Sequence, residues 1–371
     1  MRIVGNFRSV AFAALAVMPI AVGVAHADVN YMYGDSGAPS EPRPAKATIP
    51  WLEAIKEKSG GDIQTQFFGG GAVVTAKNSL MAMRDGLIDG AFVSSIYFPA
   101  ETPVMSLFVN LGSVLVDPVV SAAAITEMTV LDCADCKADL EKWNVFTFGA
   151  WVLPSYNLVC KKPLTTLDEM KGLRVRASGH TVTMANALGM VPVNVTYTEV
   201  YEALQRNQVD CTFGSSVWLE SLSIGDVAKN VINVQAGGVP APSTYNIRKD
   251  LWESLTPAQR QIFIDTAPQV IAAGAFSYLE EEARILNEPG KGYQFLEPDQ
   301  AVRAAMKAQA EKDGLAAVEK AKKAGVANAQ AIYEMLLEKY AKWAKIRESV
   351  STPAELVPHL KREIFDHMAA K

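Results

Sequence analysis

MAMRDGLIDGAF (81–92) and EALQRNQVDCTF (202–213) read as two copies of one unit. Aligned without gaps they share Ala82/Ala203, Asp89/Asp210 and Phe92/Phe213, and they pair Met83 with Leu204 and Ile88 with Val209. Each copy predicts the last turns of an amphipathic helix, a left-handed stop and a short strand. Gly86 and Asn207 stand at the stop, and these residue types tolerate a positive φ. Working outward, each copy follows an earlier strand and helix: 29–33 with 45–59, then 173–177 with 182–188. Two β-α-β-α-β halves predict an α/β fold of two domains, each a mainly parallel sheet flanked by helices, with a ligand cleft between them. The expected division is 28–153 with 240–286 as domain I, and 154–239 with 287–371 as domain II.

Capping chemistry supports the map. Thr166-Leu-Asp-Glu169 and Thr196-Tyr-Thr-Glu199 are capping boxes, in which the Thr side chain and the Glu side chain each satisfy a free backbone N–H at a helix start. Thr256-Pro257-Ala-Gln259 adds proline at the first helical position. Apolar residues from Ile262 to Tyr278 then recur at helical spacing, predicting a helix of about 30 residues, long enough to span both domains. From Asp299 onward the chain reads as helical, with stops at Gly314, Gly325 and Pro353.

The chain has 371 residues, 49% hydrophobic and 20% charged, with 35 Lys+Arg against 40 Asp+Glu. That balance excludes a basic nucleic-acid-binding surface. Residues 1–27 have the composition of a signal peptide: Arg2 and Arg8, an apolar stretch over 10–24, and Ala25-His26-Ala27 as the cleavage signature. Cleavage after Ala27 would export the chain to the periplasm. No G-x-x-x-x-G-K-[ST] or G-x-G-x-x-G points to a nucleotide, and no cofactor is expected.

In open parallel sheets ligands bind beyond the carboxyl ends of the strands. This places loops 33–41, 94–99, 177–181 and 214–218 at the cleft, with the crossover 151–157. Arg176 ends the strand LRVRAS, where a guanidinium fork can meet a carboxylate bidentately. The competing reading is a solvated strand residue or a structural ion pair.

The stretch MKGLRVRASGHTVTMANALGMVPVNVTYTEVYEALQRNQVD (170–210) resembles the signature segment of solute-binding proteins of tripartite ATP-independent periplasmic (TRAP) transporters, of the dicarboxylate-binding type. The matching residues are Lys171-Gly172-Leu173, Arg176, Leu188-Gly189, Pro192, Glu199, Tyr201, Ala203-Leu204 and Val209-Asp210. Ser59-Gly60-Gly61-Asp62, Asp89 and Pro103 extend the resemblance into the first half. It implies a binding protein, not an enzyme, that captures an organic acid for membrane permease subunits, acts as a monomer, and clamps the ligand carboxylate with Arg176.

Three departures from the family pattern bear on the ligand. Tyr156 stands where some members carry a second arginine, Phe213-Gly214-Ser215-Ser216 replaces a common asparagine, and Ser94 takes the place of a carboxylate. The Glu-Trp pair of metal-binding members is absent, so no metal is expected. The expected ligand-binding set is Arg176, Tyr156, Tyr197, Ser215, Trp218, Ser94 and Ser178. With fewer hydrogen-bonding groups and more flat surface, this set favours one carboxylate on an apolar or aromatic body over a sugar acid. The alternative is that the aromatics pack into their own domains and water bridges to a small hydroxy or keto acid. A sensor's ligand-binding subunit would share the site. An exported hydrolase or lyase would need a nucleophile–base pair, which no motif supplies.

Cys133-Ala-Asp-Cys136 is expected to be a structural disulfide at a helix or helix junction, not a redox centre. Cys160 and Cys211 stand alone in the sequence. His180 is the one histidine near the predicted cleft.

Overall fold

The computed structural model describes residues 29–287 and 291–368, besides Met1. The expected signal peptide falls outside the described residues. Three strands, β1 (Val29–Gly34), β2 (Ile63–Phe68) and β3 (Gly90–Ala91), form a parallel sheet in the order β2-β1-β3. Two long strands, β4 (Val145–Leu153) and β10 (Val239–Arg248), pair antiparallel. Six more, β5 (Asn157–Cys160), β6 (Arg174–Arg176), β7 (Val191–Val193), β8 (Cys211–Gly214), β9 (Asn230–Ile232) and β11 (Gln294–Leu296), form a second sheet in the order β11-β9-β5-β8-β6-β7. Within it, β7-β6-β8 repeats the parallel arrangement of β2-β1-β3.

The two units match hydrogen bond for hydrogen bond. Gly86 and Asn207 adopt φ of 71° and 56°. Leu87 N–H bonds to Ala82 O at 2.9 Å, and Gln208 N–H to Ala203 O at 2.8 Å, closing both helices in the same way. The aspartate of each copy then pins its central strand. Asp89 Oδ2 accepts from Met32 N–H at 3.0 Å, and Asp210 Oδ2 accepts from Arg174 N–H at 2.9 Å. Met32 therefore corresponds to Arg174, and Gly34 to Arg176. A Cβ at Gly34 would come within 2.5 Å of Val74, so the first unit has no room for a side chain there. The duplication yields one strand-end arginine.

β1 alternates, and its buried face carries Tyr31 and Tyr33. Both meet Trp51 edge-on at about 6 Å, and their hydroxyls donate to Asn246 O and Thr244 O of β10. The long helix Pro257–Asn287 has 31 residues and opens with the Thr256/Gln259 reciprocal cap. Early in its course it accepts a bond from Trp51 Nε1 on Thr266 at 3.0 Å, and near its end it meets the loop after β8 through Glu282.

The C-terminal region departs from expectation in two ways. Gly314 does not stop a helix: Gln300–Lys323 runs through it, and a Cβ there would sit 2.7 Å from the Tyr333 hydroxyl. The glycine makes room for a ring. The described residues of the expected segment 287–371 also do not pack wholly with the second unit. Helix Gln300–Lys323 touches helices of both, Ala329–Arg347 lies along Pro118–Glu127, and Pro353–Leu360 lies on the long helix. The reason is buried Glu127, whose carboxylate accepts from Lys339 at 2.6 Å, Lys342 at 3.0 Å and Trp343 Nε1 at 2.7 Å. The expected break near Pro353 is present: helix Ala329–Arg347 ends before it, and Pro353 opens the next helix behind a Thr352/Glu355 capping box.

Cys133 and Cys136 form a disulfide at a junction, where Cys133 caps helix Ala134–Glu141. Cys160 and Cys211, unpaired in the sequence reading, form a second. β5 inserts antiparallel beside β8 and brings the two cysteines face to face. This bridge spans 51 residues of sequence, a loop for which closure entropy gives about 4 kcal/mol. The double variant Cys160→Ala/Cys211→Ala is expected to lose most of that in a denaturant titration, with a steeper slope because the unfolded chain is no longer held compact. An unchanged midpoint would contradict the assignment.

Candidate functional site

Arg176 leaves the end of β6 and is 1% exposed. Its Nε donates to Val195 O at 2.9 Å, Nη1 to Phe213 O at 3.3 Å and Nη2 to the Tyr97 hydroxyl at 3.3 Å. The Tyr156 hydroxyl is also within its reach. Every one of these partners is neutral. A buried guanidinium met only by neutral groups keeps an uncompensated charge, which costs several kcal/mol unless an anion joins it.

The guanidinium faces a small cavity between the two units. Its volume is about 40 Å³. Arg176, Tyr156, Tyr197, Trp218, Ser94 and Ser178 line this one space. The aromatics are ordered against each other: Tyr156 meets the Trp218 ring edge-on at 5.2 Å, and Tyr197 stacks on it at 6.0 Å. A Cβ on Gly214 would lie 2.4 Å from the Trp218 ring, so the glycine at the end of β8 is what seats the tryptophan. Burial pushes the Tyr156 hydroxyl well above its ordinary pKa, with Arg176 opposing, so it remains a neutral donor.

Ser215 does not join the lining. Its hydroxyl donates to Glu282 Oε1 of the long helix at 2.7 Å and accepts from Val217 N–H at 3.1 Å. It hooks the loop that carries Trp218. His180 also stands apart from the cavity: it is buried, with Nε2 2.8 Å from Ala236 O, beside a larger neighbouring groove. Burial lowers its pKa against that hydrogen bond.

The sequence reading did not single out several residues on the first unit's side. Tyr97 accepts from Arg176 and from Tyr197 N–H at 3.0 Å, joining the two units, as does Ser36 at 3.0 Å from the Tyr197 hydroxyl. Arg43 lines the cavity but is forked onto Asp35 at 2.7 and 2.8 Å, its plane over Phe92 at 4.0 Å. Glu41 and Tyr278 line it too. The signal available was Asp35, Glu41 and Arg43 in a loop otherwise made of small residues and prolines. Burial, then the charge of Asp35, pushes the Glu41 carboxyl up to about 7, against Arg43. Burial pushes Glu282 to about 7 as well, against its bonds to Ser215 and Ser216.

The family description "Bacterial extracellular solute-binding protein, family 7" (DctP) matches residues 34–320. The chain belongs to this family. Members bind solutes and are not enzymes. A solute-binding protein of Verminephrobacter eiseniae is 25% identical over 225 residues, 59% of this chain. The chain spans 64% of that relative's length. Two solved structures share the fold. A TRAP solute-binding protein of Rhodoferax ferrireducens in complex with benzoate has TM-score 0.74 at 18% identity, covering 86% of this chain and 99% of its own. A TRAP periplasmic solute-binding protein of Citrobacter koseri with bound D-glucuronate has TM-score 0.66 at 19% identity, covering 83% and 98%.

A raised carboxyl pKa means the folded chain holds the proton more tightly than the unfolded one. The stabilisation is full below the unfolded value and is lost as pH rises through about 7. Between pH 6 and 8.5, Glu41 and Glu282 should each remove on the order of 1 kcal/mol from the unliganded protein. Denaturant titrations across this range should show the decline, flattened in Glu41→Gln/Glu282→Gln. The same slope in both proteins would refute it.

Proposed function

We propose that this chain is the periplasmic capture subunit of a TRAP-type secondary transporter, binding an organic monocarboxylate with a compact apolar or aromatic body. The observation that carries this reading is the buried Arg176 guanidinium, met only by neutral groups, at the wall of an aromatic cavity. A carboxylate there meets a fork of matching geometry and removes the cost of a lone buried charge. The body of the acid then lies against Tyr156, Tyr197 and Trp218.

The relatives bind both an aromatic acid and a hexuronate, so the fold leaves the choice to the lining. A hexuronate brings several hydroxyls, and each one buried without a partner costs about 1–3 kcal/mol. Serines 94 and 178 are the small polar groups on offer beside the aromatic walls. Closure of the two units over the ligand, with division near 153/154 and 239/240, brings Tyr97 to Arg176 and Ser36 to Tyr197. The permease subunits would receive the ligand on reopening.

Thermal-shift and calorimetric titration against benzoate, a small 2-oxo acid and a hexuronate tests the reading. The aromatic acid should bind tightest, and at 100 times its dissociation constant it should stabilise by about 2.7 kcal/mol. Arg176→Ala should abolish binding in a folded protein, and Arg176→Lys should bind poorly, because an ammonium has no fork. Tightest binding of the hexuronate would overturn the ligand class, and near-native affinity in Arg176→Ala would overturn the role of the arginine.

A further inference from the structure

The cavity is also lined by a buried carboxyl group, contributed by the first unit. Glu41 is 4% exposed and belongs to the loop between β1 and helix Ile49–Lys58, whereas Arg176 belongs to the second unit. Its carboxylate has two partners: Oε1 accepts from Ala38 N–H at 3.0 Å, and Oε2 accepts from the Tyr278 hydroxyl at 3.2 Å. Each carboxylate oxygen can accept two bonds, so each retains one site. The nearest cation, Arg43, spends both terminal nitrogens on Asp35. Both Glu41 and Tyr278 line the cavity.

We propose that Glu41 is a specificity-determining residue: it accepts a hydrogen bond from a hydroxyl or N–H that the ligand carries away from its carboxylate, and it rejects a second carboxylate. The inference rests on the reading of Arg176 as carboxylate clamp and extends it to the opposite end of the ligand. A donor at that end completes the Glu41 oxygens. A second carboxylate would instead meet the Glu41 carboxylate, while Asp35 holds both terminal nitrogens of Arg43 and leaves only its Nε unpartnered. This favours hydroxylated aromatic monocarboxylates over both the bare ring and the dicarboxylate.

The groups facing Glu41 are Asp35 and Arg43 of its own loop, Tyr278 of the long helix and Tyr197 from the second unit. Burial holds the Tyr197 and Tyr278 hydroxyls neutral and pushes the Glu41 carboxyl up to about 7. Glu282 titrates in the same range, but it bonds to the Ser215–Ser216 loop and would affect all ligands together.

Calorimetry with benzoate, 3-hydroxybenzoate and isophthalate, on the full chain and on Glu41→Gln at pH 6 and pH 8, separates the outcomes. In the unsubstituted protein at pH 8, 3-hydroxybenzoate should bind about tenfold tighter than benzoate, the gain of one charge-assisted hydrogen bond, and isophthalate should bind weakest. Isophthalate should gain as pH falls to 6 and Glu41 takes up its proton, while benzoate changes less. In Glu41→Gln the hydroxyl advantage should shrink to within about threefold and the pH dependence of isophthalate should vanish, with the circular-dichroism spectrum of the unliganded variant as the check on folding. If benzoate binds the unsubstituted protein but the three acids rank the same in both proteins, or the hydroxyl confers nothing, the role of Glu41 is overturned and the Arg176 clamp stands. If Glu41→Gln no longer binds benzoate, the pH series on the unsubstituted protein decides: a flat isophthalate response overturns the role, and a rise at pH 6 supports it. If none of the three binds the unsubstituted protein, the monocarboxylate reading fails and this inference with it.

Discussion

A guanidinium removed from water and left without a carboxylate is expensive, and the surroundings of Arg176 are built to hold one in that condition. Asp210 pins β6 through the Arg174 N–H, which fixes where the strand ends and so where the next side chain but one emerges. Val195 O and Phe213 O orient the fork without neutralising it. The Cys160–Cys211 bridge ties β5 to β8, the strands that deliver Tyr156 and the Trp218 loop to either side. The second unit thus supplies a charge waiting for a partner and the aromatic surface beside it.

The first unit supplies the rest of the enclosure. Tyr97 and Ser36 reach across to Arg176 and Tyr197, and the long helix meets both units, through Thr266 at one end and Glu282 at the other. The cross-unit contacts just named are polar, and water can satisfy the groups that make them. Interactions of that kind suit the closure proposed for the two units, since breaking them disturbs neither core. The C-terminal helices, anchored by Glu127, brace the first unit from outside.

Legibility in the sequence followed how local the chemistry is. The repeat was readable because each copy ends its helix with a residue that tolerates positive φ and pins its strand with an aspartate, all within a dozen residues. Arg176 was readable because a charged residue at the end of an apolar strand needs a reason. The Cys160–Cys211 pair was not, since β5 is an antiparallel insertion that the repeat does not predict. Ser215 was assigned to the ligand because it neighbours the right strand end; its hydroxyl turns instead to a helix 67 residues away in sequence. Gly314 shows the same limit, because a ring packed from a later helix decides that it stays within its helix. Glu41 and Tyr278 meet only through long-range packing, 237 residues apart, and no local pattern links them.

Two arginines line the cavity, and the account assigns the ligand's carboxylate to one of them. A crystal structure of the protein with its tightest-binding aromatic acid tests this most directly. The account predicts a carboxylate forked onto Arg176, with Arg43 still paired to Asp35 and the ring against Tyr156, Tyr197 and Trp218. A carboxylate bound to Arg43, with the Arg176 guanidinium unaltered, would contradict it.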